Sequence, residues 1–355
     1  MSKTAQLTTQ EKFESALKAA GVSLETNGVS ALRPITELDV AHVTAVTRAH
    51  GLAFDEIKVL RRVVAALHAG KHLILQGAPG TGKTTLATAL ADAAYQRSIN
   101  RGYVQVTGSS DWTPSDTVGT YRLNRGKELE FARGHVLDAI ANGQWLILDE
   151  LNRADIDRAM GPLFSVLSGH PTELRYEEEG DHGRSERVAI VPEGKGLAGH
   201  RNYEVHPNWR IVATMNTKDL DLLFEVSQAF LRRFAIISVP CPSVPDHRDL
   251  LRAHPTGDKA TDSMVLALTT LPDLELGPAI TIDAARYVQH HVKMVTSGAR
   301  PSASDLADEV FEIFVRPQLP GYDETGRQRI RDHLRKAAGQ VTAEEEAESS
   351  DVAPS

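Results

Sequence analysis

Cysteine is nearly absent from this sequence, because Cys241 is the single one among 355 residues. A disulfide and a Cys-X-X-Cys metal or redox site each need two thiols, so neither can exist within the chain. The sequence also lacks a run of about 18 apolar residues, which a membrane-spanning helix needs. Its first residues lack the apolar stretch of a signal peptide. We therefore expect a cytoplasmic protein that makes no contact with a membrane.

Positive charge is in deficit, with 39 Lys and Arg against 47 Asp and Glu and a net charge of -8. The chain as a whole therefore lacks the polycationic character of proteins that grip phosphate backbones, although a local basic pore is compatible with this balance. The 14 histidines show no His-Glu-X-X-His or other paired spacing, so no zinc site is predicted. The length allows one large or two modest domains with a sizeable core.

Five short apolar runs rich in β-branched residues are separated mostly by helical patterns. Strands that alternate with helices predict a parallel sheet covered on both faces, and so a three-layer α/β domain. The five predicted strands are residues 72–76, 103–107, 145–148, 210–214 and 235–239.

Two segments interrupt this alternation. Residues 118–134 contain two strand-like pieces around Asn124-Arg125-Gly126, which is typical of a hairpin. Residues 172–205 contain two further apolar pieces that flank a turn-rich stretch, and we interpret them as a second protruding hairpin. The alternative in both cases is a solvent-exposed loop.

A glycine-rich segment follows the first predicted strand. Residues 77–84 read Gly-Ala-Pro-Gly-Thr-Gly-Lys-Thr, which satisfies the P-loop pattern in the strand-to-helix setting that its geometry requires. Main-chain N–H groups of such a loop surround phosphate oxygens, Lys83 would neutralise phosphate charge, and Thr84 would ligate Mg²⁺. A glycine turn without a ligand is the alternative. The predicted nucleotide-binding residues are Gly77, Ala78, Pro79, Gly80, Thr81, Gly82, Lys83, Thr84 and Thr85.

Two carboxylates end the third predicted strand. Residues 145–148 are apolar and are followed by Asp149 and Glu150, at the sheet edge where ligands bind in α/β proteins. Asp149 suits Mg²⁺, directly or through water, and Glu150 would act as the general base that polarises the attacking water. The alternative is an Asp-Glu pair that merely caps a turn. The P-loop upstream favours the catalytic interpretation.

These motifs, in this order, resemble those of the AAA+ ATPases. Residues 148–154, Leu-Asp-Glu-Leu-Asn-Arg-Ala, are similar to the Asp-Glu-Ile/Leu-Asn-Arg-Ala motif of the MoxR/McrB/dynein-related branch, and the resemblance covers residues 54–319. It implies a P-loop NTPase fold with a five-stranded parallel sheet, two β-hairpin inserts and a C-terminal α-helical lid. It also implies that Asn216 orients the lytic water as the sensor-1 residue. A strand-capping asparagine is the alternative.

The resemblance extends to arginines that would complete the site. Residues 224–234 resemble the stretch that ends in the family's arginine finger, so Arg233, or its neighbour Arg232, would act on an adjacent subunit. Either could instead be a structural ion-pair partner. Arg300 resembles the sensor-2 arginine of the lid, with Arg286 as the alternative. Loops such as the two hairpins face the pore in rings of this branch, and the first hairpin carries Arg122, Arg125, Lys127 and Arg133.

These basic residues of the first hairpin would contact an acidic substrate or partner, and a solvated hairpin with scattered charge is the alternative. For the whole chain we predict an N-terminal helical extension (1–50), an α/β nucleotide-binding domain (51–242) and an α-helical lid (243–339). Residues 340–355 are predicted to be an acidic disordered tail, since they cannot bury apolar surface.

The resulting functional interpretation is Mg²⁺-dependent ATP hydrolysis by a homo-oligomer, a hexameric ring, that remodels or drives a separate client, with any contact to nucleic acid indirect. The Asn-Lys-X-Asp motif that reads guanine is absent, which favours ATP, but McrB-type relatives use GTP without it. The alternatives are a GTP-using McrB-like motor subunit that works with a separate nuclease, a MoxR-like chaperone, and a slow nucleotide-dependent assembly switch. A P-loop kinase lacks support.

Overall fold

The computed structural model describes residues 32–52, 57–179, 184–217, 227–294, 301–319 and 321–350. The helical pattern of residues 11–21 lies outside these ranges. The strands are β1 (His72–Gly77), β2 (Tyr103–Thr107), β3 (Gly119–Leu123), β4 (Leu129–Arg133), β5 (Trp145–Asp149), β6 (Thr172–Glu179), β7 (Ser185–Pro192), β8 (His200–Val205), β9 (Ile211–Asn216) and β10 (Phe234–Ser238). The α-helices are α1 (Val40–Ala49), α2 (Ile57–His68), α3 (Lys83–Gln96), α4 (Pro114–Thr117), α5 (His135–Ala141), α6 (Ile156–Met160), α7 (Gln228–Leu231), α8 (Val244–Arg252), α9 (Lys259–Ala267), α10 (Pro278–Met294), α11 (Ala303–Val310) and α12 (Glu324–Ser350).

The apolar runs form a five-stranded parallel sheet in the spatial order β10-β1-β9-β5-β2, which confirms the predicted fold class. Successive side chains of a strand point to opposite faces. Leu73 and Leu75 of β1 pack into one core cluster, and Ile74 packs into another. Both faces of β1 are therefore buried, which is why its residues 73–75 are all apolar rather than alternating with polar ones.

Helices cover both faces of this sheet. Residues of α1, α2 and α3 form one core with the side chains of one sheet face. Residues of α5 and α6 form the other core, together with buried residues of β6 and β7. The domain thus has the three layers that the alternation of strands and helices predicted.

The two inserts are both β-structures. Strands β3 and β4 pair antiparallel, which confirms the first hairpin. Strands β6 and β7 also pair antiparallel, and β8 adds to β7 in parallel, so the second insert is a three-stranded sheet rather than the predicted hairpin alone. The sequence pattern did not predict β8, because Tyr203 is the one buried residue of this strand. The inserts touch each other, since the Tyr121 hydroxyl accepts a 2.7 Å hydrogen bond from the Glu177 N–H.

The C-terminal part is helical, as predicted, and has a core of its own built from α8 to α12. Side-chain caps define several helix starts: Ser243 accepts a hydrogen bond from the Asp246 N–H at the start of α8, and Ser302 forms a capping box with Asp305 at the start of α11. Such caps satisfy N–H groups that the first turn leaves unpaired.

Helix α12 extends to Ser350 and so includes the first part of the segment predicted to be a disordered tail. The run Ala-Glu-Glu-Glu-Ala-Glu at 343–348 consists of strong helix formers. The disorder of residues 340–355 stays a prediction.

Candidate functional site

The loop between β1 and α3 has a backbone that only glycine accommodates easily. Gly80 and Gly82 have φ angles of +76° and +83°, in the left-handed region that costs other residues energy. At Gly77 a Cβ atom would stand 2.4 Å from the carbonyl oxygen of Val239. The three glycines of the pattern are thus explained by two backbone turns and one close approach of β1 to the chain that leaves β10.

Lys83 is the first residue of α3 and has 6% of its surface exposed. Its Nζ donates a 2.7 Å hydrogen bond to the carbonyl of Ala78, and the Thr81 hydroxyl donates a 3.0 Å bond to the same oxygen. The ammonium group is therefore held across the loop. At this position it stands beside the backbone N–H groups of a helix N-terminus, an arrangement that suits phosphate.

Three side chains converge at the end of β5. The hydroxyl of Thr84 donates to Asp149 Oδ1 over 2.7 Å, and that of Thr214 donates to the same oxygen over 2.5 Å. Sequence analysis missed Thr214. The available signal was its place on the predicted strand two residues before Asn216, which puts both side chains on the same face.

Hydroxyl and carboxylate oxygens are the ligands that Mg²⁺ prefers, and the residues present therefore fit this ion. The described residues hold no group of three or more His, Cys, Asp or Glu that could bind a metal without other ligands.

Glu150 lies just beyond Asp149, in a strained backbone position with φ +53° and ψ 50°. Its N–H donates a 3.0 Å hydrogen bond to the Thr214 hydroxyl. Its carboxylate Oε2 lies 2.8 Å from Nη1 of Arg153. Strain of this kind in a non-glycine residue persists only where surrounding contacts hold it, and it is frequent at functional sites.

Asn216 ends β9, directly opposite Gly77 in the sheet. The buried side chain of Asn152 donates a 3.4 Å hydrogen bond to the Asn216 carbonyl, and the Thr217 N–H donates to the Gly77 carbonyl over 3.2 Å. These contacts join the glycine-rich loop, the segment after β5 and the end of β9. The three segments surround one cavity of about 310 Å³, lined by Pro79, Gly80, Gly82, Lys83, Thr84, Thr85, Asp149, Glu150, Thr214, Asn216 and Ala279.

The lid reaches this site through the turn before α10. Gly277 packs so closely on the loop that a Cβ atom there would stand 2.4 Å from the Pro79 carbonyl oxygen. The Ala279 N–H donates a 3.2 Å hydrogen bond to the Gly80 carbonyl. A second cavity of about 160 Å³ lies on this side, lined by His50, Gly51, Leu52, Gly80, Thr81, Gly82, Thr85, Leu250, Pro278, Ala279 and Ile282. Sequence analysis assigned no role to the lid residues of either cavity.

The two candidate finger arginines have different surroundings. Arg233 donates to the Phe164 carbonyl over 2.9 Å and to the Ser168 hydroxyl over 3.0 Å, and its guanidinium lies 5.4 Å from the Phe164 ring centre. It also donates to the Ala229 carbonyl. The side chain of Arg232 is exposed, and its guanidinium makes no hydrogen bond or ion pair with the described parts of the chain. Neither arginine lines the cavity.

Three further predictions concern basic residues. Arg300 lies outside the described residues. Arg286 is on α10, 3.9 Å from Asp283 and away from both cavities. On the first hairpin, Arg122, Arg125, Lys127 and Arg133 are all exposed, and Arg133, at the base of the hairpin, lies 3.4 Å from Asp138. The charge of the hairpin is therefore displayed mostly near its tip.

The profile of the AAA domain, dynein-related subfamily, matches residues 72–234. Midasin of Dictyostelium discoideum is 32% identical over 160 residues, which are 45% of this chain and 2% of that protein. Protein MoxR of Paracoccus denitrificans is 24% identical over 207 residues, 58% of this chain and 52% of its own length. The EcoKMcrB subunit of a type IV methyl-directed restriction enzyme of Escherichia coli is 25% identical over 199 residues, 54% of this chain and 40% of its own length.

The chain therefore spans about half, or less, of the length of these relatives. The matched region contains both motifs at the cavity, Asn216 and the two arginines at 232 and 233. None of the helices in the described ranges is long and apolar enough to cross a membrane.

Proposed function

We propose that this protein hydrolyses ATP with Mg²⁺ in an oligomer that acts on a separate partner. The premise is that residues 72–234 belong to the AAA+ ATPases of the MoxR, McrB and dynein-related branch. One observation carries the proposal. The hydrogen-bonded set of Thr84, Asp149 and Thr214 lies with Lys83 and Glu150 around a single cavity. Together these residues supply metal ligands, a cation for the phosphates and a base for the attacking water, which cleavage of a phosphoanhydride needs.

Binding is the role of the loop and of Lys83. The N–H groups of residues 77–84 would surround the phosphates, and the ammonium of Lys83 would face the β- and γ-phosphate oxygens. Thr84 and Asp149 would hold Mg²⁺, which, when bound, neutralises charge on those oxygens. Thr214 would keep the Asp149 carboxylate oriented through its 2.5 Å hydrogen bond.

Catalysis would depend on Glu150 and Asn216. Glu150 would polarise a water molecule for in-line attack on the γ-phosphorus, and Asn216 would orient that water from the neighbouring strand. Both side chains line the same cavity as Lys83. The bond from this water oxygen to phosphorus forms as the bond to the bridging oxygen breaks, giving ADP and phosphate.

The second cavity lies beside the loop, on the side of the lid, and would hold the nucleotide base. ATP is the proposed nucleotide because the Asn-Lys-X-Asp motif that reads guanine is absent from the sequence.

Assembly would complete the site. Arg232 is exposed and could reach the γ-phosphate of an adjacent subunit without first breaking intrachain bonds, whereas Arg233 would have to leave Phe164 and Ser168. A hexameric ring is the proposed assembly, with the hairpins toward its pore and a client protein as the partner. A GTP-using motor subunit beside a separate nuclease is the second candidate, because one relative is a subunit of a restriction enzyme.

The test is phosphate release with and without Mg²⁺. We expect Mg²⁺-dependent release by the wild type, and loss of both release and Mg²⁺ dependence in Asp149→Asn. The exposed Glu179 lines neither cavity, so Glu179→Gln serves as the matched control and should behave like the wild type. Metal-independent release, or full activity of Asp149→Asn, would refute the proposal. A rate that stays slow with every candidate partner would favour an assembly switch.

A further inference from the structure

The carboxylate of Glu150 is bound by its own turn. Glu150 precedes the 3₁₀ turn Leu151–Arg153, and Nη1 of Arg153 lies 2.8 Å from Glu150 Oε2. Side chains three positions apart are aligned in a 3₁₀ turn. The ion pair therefore joins two residues of the same turn.

The backbone of Glu150 has little room to move. Its N–H is bonded to the Thr214 hydroxyl at 3.0 Å, and its carbonyl accepts the Arg153 N–H at 3.0 Å. That carbonyl also packs against Gly108, where a Cβ atom would stand 2.6 Å from the oxygen. Reorientation of the carboxylate must therefore come from side-chain torsions, and Arg153 is the cation that acts on them.

The ion pair lies at the edge of the nucleotide cavity. Glu150 lines this cavity, whereas Arg153 does not. The side chain of Arg153 is 58% exposed and that of Glu150 is 30% exposed. One carboxylate oxygen of Glu150 is thus bound to a solvent-facing cation. It does not face the interior of the cavity, where the attacking water must bind.

We propose that Arg153 is a positioning residue that holds the Glu150 carboxylate in a resting orientation, and that turnover begins when Glu150 exchanges Arg153 for the attacking water. The inference rests on the proposed role of Glu150 as general base. It accounts for an arginine three residues after a catalytic carboxylate, which neither nucleotide binding nor Mg²⁺ binding requires.

The hold is weak enough to be released in each cycle. An ion pair this exposed is screened by solvent, and Arg153 becomes hydrated when Glu150 leaves. Loss of the pair should therefore change the turnover rate by ~2- to 5-fold rather than by orders of magnitude. A carboxylate that an adjacent subunit brings to Arg153 would compete with Glu150 and so couple turnover to assembly.

The experiment compares steady-state kcat and KM for ATP in the full chain and in three variants. Arg153→Ala should raise kcat by ~2- to 5-fold with unchanged KM, and Arg153→Lys, which keeps the cation, should stay close to the wild type. Arg158→Ala is the matched control, since Arg158 is an exposed arginine on the neighbouring helix α6. It should leave kcat unchanged.

The dependence of kcat on ionic strength provides a second measurement. Salt screens exposed ion pairs, so wild-type kcat at saturating nucleotide should rise with ionic strength relative to that of Arg153→Ala. A purely structural arginine would not produce this difference.

Two outcomes are distinguishable. If the wild type hydrolyses ATP but folded Arg153→Ala has the same or a lower kcat, or if wild type and variant respond identically to salt, the resting hold is refuted while the proposed function stands. If the wild type shows no hydrolysis at all, the proposed function is refuted, and the hold with it.

Discussion

The hydroxyl of Thr84 donates a 2.7 Å hydrogen bond to Asp149, which lies 65 positions further along the chain. This bond connects the first turn of α3 to the carboxyl end of β5. Two motifs that are separate in the sequence therefore share one set of oxygen atoms. Both groups therefore lie within reach of a single Mg²⁺ at this edge of the sheet.

The first prediction concerns Thr214, whose hydroxyl serves both Asp149 and the Glu150 N–H. Thr214→Val removes the hydroxyl and keeps the shape, which leaves a carboxylate oxygen and an N–H with fewer partners. We expect the free energy of unfolding to fall by about 1–3 kcal/mol and kcat to fall with it. Urea unfolding and phosphate release measure the two effects. Thr214→Ser retains the hydroxyl and should be close to the wild type, and a Val variant that equals the Ser variant would contradict this role.

The second prediction concerns contact between the lid and the loop. A Cβ atom at residue 277 would overlap the Pro79 carbonyl. A Cβ atom at residue 321 would have no other atom within 4 Å. Gly277→Ala should therefore push the lid from the loop and weaken nucleotide binding by roughly 10-fold, as a loss of about 1.4 kcal/mol implies. Fluorescent-nucleotide titration measures this affinity. Gly321→Ala is the control within the same domain, and equal affinities for the two variants would show that the close approach is unimportant.

The third prediction is a pH dependence of stability that arises from His72. Burial, with a further contribution from Arg210, lowers the pKa of His72 to about 3. Between about pH 6.5, the ordinary pKa of histidine, and about pH 3, the unfolded chain binds a proton that the folded protein excludes, so stability falls as pH falls. At about pH 5, His72 thereby lowers the free energy of unfolding by ~2 kcal/mol.

The variant that tests this is His72→Asn, because its Oδ1 can replace His72 Nδ1 as acceptor of the Ile211 N–H. The free energy of unfolding of the wild type should fall between about pH 6.5 and about pH 5 by ~2 kcal/mol more than that of the variant. Parallel pH profiles would mean that another group determines the acid sensitivity.

The fourth prediction separates the two neighbouring arginines. Arg232→Ala should leave the melting temperature unchanged and reduce turnover by on the order of 10³, because an exposed side chain that acts in trans is lost. Arg233→Ala should lower the melting temperature, because its contacts with Phe164 and Ser168 disappear. Mixing Arg232→Ala with Glu150→Gln subunits should restore part of the turnover. If Arg233→Ala subunits are the ones rescued by this mixing, the finger is Arg233.

Much of the fold followed from the sequence because its signals are local. Residues 73–75 of β1 are all apolar because both faces of this strand are buried, and the turn at Asn124-Arg125-Gly126 indicates the first hairpin. The missed features are those that depend on distant contacts. Strand β8 is stabilised by pairing with β7 rather than by its own pattern, and Gly277 owes its importance to the approach of a loop about 200 residues earlier.

The site follows the same division. Residues 77–84, Asp149 and Glu150 belong to motifs that combine residue type with a strand-end position, and the structure brings them together. Thr214 belongs to no motif. A threonine within an apolar strand is already explained by its high β-propensity, so the sequence offered no reason to assign it a role. The partner of Glu150 was equally hidden, since Arg153 is simply part of the Asn-Arg-Ala sequence until the backbone shows the two side chains aligned.

The most direct test of the account is a paired measurement on Glu150→Gln. Gln is nearly isosteric with Glu but cannot accept the proton of the attacking water, so binding and turnover should separate. We predict that fluorescent ATP binds the variant as tightly as the wild type, while phosphate release falls to the background rate. Undiminished phosphate release by Glu150→Gln would contradict the assignment of this cavity as the site of hydrolysis.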